Sequence, residues 1–261
     1  MKAFSASVRD VDLNTTRSSV FHSLLDGVLA VILAPACAAC DAILDEPSAG
    51  PVCRGCWDAI VPFTAPLCQH CGDPLPSWRV ISVAASRCPR CRRRPSQVSV
   101  TRAIGSYDGT LRAIVHALKY GKRRSLAKPL AARMRAHAGD VLGSADVVVP
   151  VPLHRSRLRS RGFNQAGEIA QHLGVPVRLA LRRRRATPSQ TDLPAGQRHR
   201  NVRGAFTLAR DADVRGLRVA LVDDVCTTGA TLEACARVLR DAGAADVGAV
   251  TAARVATRRR G

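Results

Sequence analysis

Aromatic side chains are scarce, at 3% of 261 residues with two Trp, two Tyr and five Phe. A core built on stacked rings is therefore excluded, and aliphatic side chains must fill the interior. Acidic residues number 20 against 40 Lys and Arg, a formal charge of +20. That field favours polyanionic partners, namely nucleic acid, phosphorylated metabolites or an anionic membrane surface. A solvated basic surface has the same composition, so charge alone names no partner. Long apolar runs are also missing: the longest, residues 28–34, is far short of the roughly 20 residues that span a bilayer, and no membrane insertion is expected. Lys2, Arg9 and Arg17 before that run and Cys37 after it resemble an export signal, but His22 and Asp26 interrupt its apolar part. The expected compartment is the cytoplasm. No G-x-x-x-x-G-K-[ST] occurs, which removes a P-loop nucleotidase from consideration.

What is present divides the chain in two. Hydrophobic residues make up 46%, enough for a folded protein of one or two domains. Residues 1–16 have no apolar period and are expected to form a disordered leader, whereas Phe21, Leu24, Leu25, Val28 and Ile32 predict a helix over 18–33. Residues 17–97 combine that helix with a Cys-, Pro- and Gly-rich segment too poor in apolar residues for a large core. From residue 98 to the end, strand-like runs at 101–107, 146–151, 175–179, 216–222 and 246–255 alternate with helical patterns, among them one over 164–173. That alternation predicts an α/β fold with a doubly wound, mostly parallel sheet. The Arg-rich stretch 182–203 reads as a mobile loop.

Eight of the ten cysteines form four C-x-x-C knuckles, Cys37/Cys40, Cys53/Cys56, Cys68/Cys71 and Cys88/Cys91, separated by 12, 11 and 16 residues. Two knuckles supply the tetrahedral thiolate set of a structural zinc ion, so two Zn²⁺ ions are expected. Sequential pairing makes two zinc ribbons, and a cross-braced pairing of alternate knuckles satisfies the same spacing. Disulfides would need an oxidising compartment, and a closed four-thiolate site leaves no position for chemistry. Trp57, Trp78 and Arg90, Arg92, Arg93 and Arg94 lie in or beside these ribbons. They offer stacking and charge to single-stranded nucleic acid, although the Trp residues are expected to pack the small ribbon cores.

The most informative stretch is 219–232. Val219 to Val222 form an apolar strand, Asp223-Asp224 follow, and Thr227-Thr228-Gly229-Ala230-Thr231 open a helix whose apolar face carries Leu232, Cys235, Ala236 and Leu239. Backbone N–H groups at a helix start hold a phosphate, three threonine hydroxyls add donors, and Gly229 allows close approach. Adjacent carboxylates would repel that phosphate and suit ribose hydroxyls or Mg²⁺ instead. The combination specifies a sugar phosphate.

This segment closely resembles the 5-phosphoribosyl 1-diphosphate (PRPP) motif of type I phosphoribosyltransferases. Pro150-Val151-Pro152-Leu153-His154-Arg155, Arg161-Gly162-Phe163-Asn164-Gln165, Gln190 with Arg198 and Asn201, and the four preceding knuckles resemble the ComF family, associated with bacterial competence. The resemblance implies a type I phosphoribosyltransferase-like domain preceded by a small double zinc ribbon, with PRPP as ligand and Mg²⁺ accompanying it. It implies that Asp223 and Asp224 sit at the reacting sugar, that Thr227 to Thr231 hold its phosphate, and that His154, Arg155 and Arg161 hold the pyrophosphate. Lys119, Lys122 and Arg123 form a further candidate anion patch. The resemblance also implies that 182–203 closes over the ligand, and that pyrophosphate leaves ribose C1 through an oxocarbenium-like transition state without a covalent nucleophile. Cys226 is then a spectator.

Nothing in the residues identifies an acceptor. Three functions remain open: phosphoribosyl transfer, a non-catalytic adaptor for incoming single-stranded DNA, and a PRPP sensor without turnover. The resemblance implies a role in natural transformation, with single-stranded DNA and competence-machinery proteins as partners.

Overall fold

The computed structural model describes residues 35–75, 86–93, 95–185 and 202–255. The expected leader, the helix at 18–33, Trp78, Arg94, Gln190, Arg198, Asn201 and most of the Arg-rich loop lie outside the described residues.

Among the described residues before 95 little regular structure forms, because few apolar side chains are available to bury a helix or sheet. Two short helices, α1 (Arg54–Asp58) and α2 (Pro89–Arg93), each begin inside a knuckle. The second part follows as β1 (Thr101–Ser106), α3 (Gly109–Lys119), α4 (Ala127–His137), α5 (Gly139–Leu142), β2 (Val147–Pro150), α6 (Arg155–Arg161), α7 (Gln165–Ala170), β3 (Leu181–Arg183), β4 (Phe206–Leu208), β5 (Arg218–Cys226), α8 (Ala230–Asp241) and β6 (Asp246–Arg254). A sheet in the order β1-β6-β5-β2, parallel throughout, forms its centre. Helices cover both faces, so its strands read as continuous apolar runs.

One face buries Ala220, Val222, Val148 and Val250 against Ile114, Leu118, Leu130 and Ile169 of α3, α4 and α7. The other buries Val219, Leu221, Val149 and Val247 against Cys235 and Leu239 of α8. The expected doubly wound sheet is therefore present, with three differences. At 175–179 there is a single parallel bridge, Val177 to Val148, in a segment where Pro176 has no N–H to donate. Helix α7 ends at Ala170, short of residue 173. The first residues of the expected mobile loop are ordered, because β3 pairs antiparallel with β4 in the register Arg182 to Thr207.

The ribbons cover β1, the edge strand of the sheet. Phe63 N–H donates to Ile104 O at 2.8 Å and Thr101 N–H to His70 O at 2.6 Å. Gly72, at φ +71, and Gly105 are required there: a Cβ would meet Thr101 O at 2.7 Å in the first case and Val61 O at 2.5 Å in the second. Covering an edge in this way removes a surface open to strand pairing.

Candidate functional site

The eight knuckle thiols gather into two groups, Cys37, Cys40, Cys53 and Cys56, then Cys68, Cys71, Cys88 and Cys91, with the sulfurs of each group within 4.8 Å of one another. Pairing is therefore sequential, and the cross-braced alternative falls away. In each group the surroundings favour ionisation of one thiol, while burial and the neighbouring sulfurs hold others up. Cys37 Sγ accepts from the N–H groups of Cys53 at 3.3 Å and Ala39 at 3.4 Å, and Cys68 Sγ from Cys88 N–H at 3.3 Å. Burial opposes ionisation of Cys37, but these amides outweigh it and bring the thiol down to about 6. Cys68 is brought down to about 4, first by the Cys71 side chain and then by amides that overcome burial. Four sulfurs at that separation fit one Zn²⁺ each, with no vacant ligand position for chemistry.

Strand β5 feeds the candidate phosphate loop. It runs through both acids to Cys226 rather than ending at Val222, so Asp223 and Asp224 are strand residues on opposite faces. Asp224, 7% exposed, shares the face of Ala220 and Val222 and receives Lys119 Nζ at 3.0 Å. That pairing corrects the expected anion patch at 119–123, because a buried carboxylate at a strand end requires a counterion and Lys119 supplies it. Burial works against the Lys119 charge, yet the Asp224 carboxylate holds its pKa above the ordinary value. Asp223 is half-buried and accepts from Asp224 N–H at 2.9 Å. Burial, then the Asp224 charge, raise its carboxyl to about 7 against the pull of Lys119.

Gly229 caps α8 at φ 79, a left-handed conformation that glycine adopts without strain. Thr228 Oγ1 accepts from Ala230 N–H at 3.4 Å. Thr227, Thr228, Gly229 and Thr231 are half-buried and Ala230 is buried, so the loop stands at the carboxyl end of the central strand, where open α/β sheets bind ligands.

The other expected anion donors are divided. His154 caps α6, its Nδ1 accepting from Ser156 N–H at 3.3 Å. With Arg155 it lines a groove of about 990 Å³ whose other wall is Arg182, Arg183, Arg184 and Arg210 from the β3–β4 hairpin and its exit. Arg161 lies elsewhere, its guanidinium 5.1 Å from the Tyr120 ring. Asn164 Nδ2 donates to Val151 O at 3.1 Å, and Gln165 is buried behind it. Trp57 packs outward from its ribbon with the Arg133 guanidinium of α4 4.3 Å from its ring, so that face is closed to a base.

Sequence reasoning missed what lies behind the loop. Arg254, 1% exposed, ion-pairs with Asp73 of the second ribbon and donates from Nη1 to Cys226 Sγ at 3.3 Å. Arg90 Nη2 reaches Thr228 O at 3.2 Å. Glu233 accepts from Ser96 Oγ and Gln97 N–H, each at 2.7 Å. A run of Arg in a basic sequence carries no mark that distinguishes these two.

Comparison with known proteins agrees with this geometry. A phosphoribosyl transferase domain profile matches residues 134–260 and a double zinc ribbon domain profile residues 28–92. Competence protein F of Haemophilus influenzae is 32% identical over 207 residues, covering 75% of this chain and 87% of that protein. DNA utilization protein YhgH of Salmonella typhimurium is 33% identical over 206 residues, with 75% and 87% covered. Competence protein ComFC of Bacillus subtilis is 26% identical over 198 residues, with 74% and 80% covered.

Proposed function

The chain belongs to the competence protein F family, and from that premise we propose that it binds PRPP at residues 223–231 and acts in DNA uptake. The observation that carries the first half is the continuous path from β5 through two carboxylates into a glycine-capped helix start. Thr227, Thr228, Gly229, Ala230 and Thr231 surround the phosphate with amide and hydroxyl donors. Asp223 would hold the ribose hydroxyls and Mg²⁺; Asp224 supports it from the buried face, paired with Lys119. His154 and Arg155 meet the pyrophosphate, whereas Arg161, stacked on Tyr120, is left out of that contact. When bound, Mg²⁺ supplies neutralisation of the leaving group's charge. No side chain attacks the sugar. Cys226, buried and hydrogen-bonded to Arg254, keeps its thiol protonated chiefly because burial raises its pKa, in keeping with a spectator.

Calorimetry with PRPP and Mg²⁺ tests binding, and pyrophosphate release in the presence of nucleobases or single-stranded DNA tests turnover. Binding with release assigns a phosphoribosyltransferase, binding without release a sensor or adaptor, and no binding removes the assignment of this loop.

The Arg-lined groove supports the second half. Among the described residues, Arg155, Arg182, Arg184 and Arg210 have no carboxylate partner within 4.0 Å. Four uncompensated guanidinium groups on one groove without an aromatic lining suit the phosphodiester backbone of single-stranded DNA rather than its bases. The thiolate sets fit a reducing compartment, which supports a cytoplasmic protein. We place the boundary between ribbon part and transferase-like part at 97/98, and competence-machinery proteins are the natural partners for such a chain.

A further inference from the structure

We propose that the second zinc ribbon is a working part of the PRPP site: Arg90 selects the orientation of the Thr228–Gly229 peptide, and Arg254 with Asp73 anchors the loop's root at Cys226. The proposal rests on the reading of residues 223–231 as the PRPP loop and adds to it the residues that set its shape.

The point of contact is the Thr228–Gly229 peptide bond. A trans peptide is planar, with its C=O and N–H pointing in opposite directions. Arg90 Nη2 donates to Thr228 O at 3.2 Å, which draws this carbonyl toward the ribbon. The Gly229 N–H is thereby turned away from the ribbon, the side an anion would take if this loop is the phosphate site. Gly229 is the residue least able to hold that orientation by itself, because glycine occupies positive and negative φ with similar ease. A flip of this peptide would present a carbonyl oxygen to a phosphate and repel it. The donor from the ribbon opposes the flip.

Two further tethers act on either side. Upstream, Arg254 joins Asp73, two residues past the ligand Cys71, to Cys226 Sγ. Downstream, the segment leaving the ribbon holds the Glu233 carboxylate of α8 through Ser96 Oγ and Gln97 N–H, each at 2.7 Å. Between these tethers lies a hollow of about 320 Å³, lined by Arg90, Cys91, Thr228, Gly229, Leu232 and Arg254 among others. Ribbon and loop are thus joined by discrete polar contacts rather than by a packed apolar seam, so a single substitution can release one of them. Arg90 lies between the ligands Cys88 and Cys91, so the metal-held knuckle determines where its side chain starts.

The test is hydrogen exchange of residues 226–231 in the full-length, metal-loaded protein without ligand, alongside calorimetry with Mg²⁺ and PRPP. Arg90→Ala should speed exchange in that loop and weaken PRPP about three- to tenfold, since binding falls with the fraction of loops in the competent shape. Zinc content and melting temperature should stay at wild-type values. Glu233→Gln should loosen the same segment from its other side. Arg54→Ala, in the first ribbon, should change neither readout. Unchanged loop exchange in Arg90→Ala, or an equal change in Arg54→Ala, overturns the proposal. If the wild-type protein binds no PRPP while Arg90→Ala still speeds exchange, the tether stands and the ligand assignment falls.

Discussion

At the scale of single residues, the two acids of β5 do different work although they are neighbours. Asp224 is committed to Lys119 inside the protein, and Asp223, on the other face of β5, has a carboxyl raised to about 7 by burial and by Asp224. Replacing both by Asn should weaken PRPP by about tenfold or more, the equivalent of one charge-assisted contact worth about 1.5–3 kcal/mol. Thr228→Ala should weaken the phosphate end by a similar factor, and zinc content should be unaffected by either change. Calorimetry that finds binding untouched by the double Asp substitution removes the assignment. The raised pKa also sets a pH dependence. Ligand and metal favour the ionised carboxylate, so a proton competes with them below about pH 7. PRPP affinity should rise with pH through that value and level off above it. The single Asp223→Asn variant supplies the baseline, because its remaining pH dependence is that of PRPP itself.

At the scale of elements, the knuckle glycine and the zinc ribbons carry the testable content. Gly72 sits at φ +71 with a substituent's place already taken by Thr101 O at 2.7 Å. Both the conformation and the contact are with rigid backbone, so Gly72→Ala should destabilise the docked ribbon by more than the ~1 kcal/mol of backbone conformation alone. Thermal unfolding should record it as a lowered midpoint. Metal analysis of the purified protein should find two zinc ions per chain, one for each group of four sulfurs. Chelation should unfold the ribbon part while the sheet built from β1, β2, β5 and β6 keeps its circular dichroism, since its two apolar layers come mainly from its own strands and helices, with only a few ribbon residues such as Leu44, Val52 and Ile60 joining one of them. Loss of the sheet along with the metal would contradict this division.

At the scale of the whole molecule, charge is the organising quantity. A net +20 does not by itself locate a partner, but the groove between α6 and the β3–β4 hairpin gathers Arg155, Arg182, Arg184 and Arg210, which have no carboxylate partner within 4.0 Å among the described residues. Single-stranded DNA held there by about four phosphate contacts should show a log–log salt slope of roughly −3, with little dependence on base sequence. Replacing Arg182, Arg184 and Arg210 by Gln should reduce that slope by about 2. Salt-insensitive binding, or binding lost on altering Arg92 and Arg93 instead, would move the interface to the ribbons.

The sequence by itself determined the elements whose signals are local. Four C-x-x-C pairs specify metal ligation because thiolate spacing is a property of a few adjacent residues. The run from Val219 to Thr231 specifies strand, acids and helix start because apolar periodicity and a glycine cap are read within one turn or one strand. Only the tertiary structure decided which knuckles share a metal, since sequential and cross-braced pairings place the same residues at the same spacing. It also decided that Lys119 answers Asp224 from the helix packed on the same face of the sheet, that Arg161 stacks on Tyr120 away from the groove, and that Arg90 and Arg254 out of 40 basic residues reach the loop. Those side-chain pairings join residues from about 30 to about 180 positions apart. Their energy depends on distance and burial in the folded chain, and neither quantity leaves a trace in the local order of amino acids.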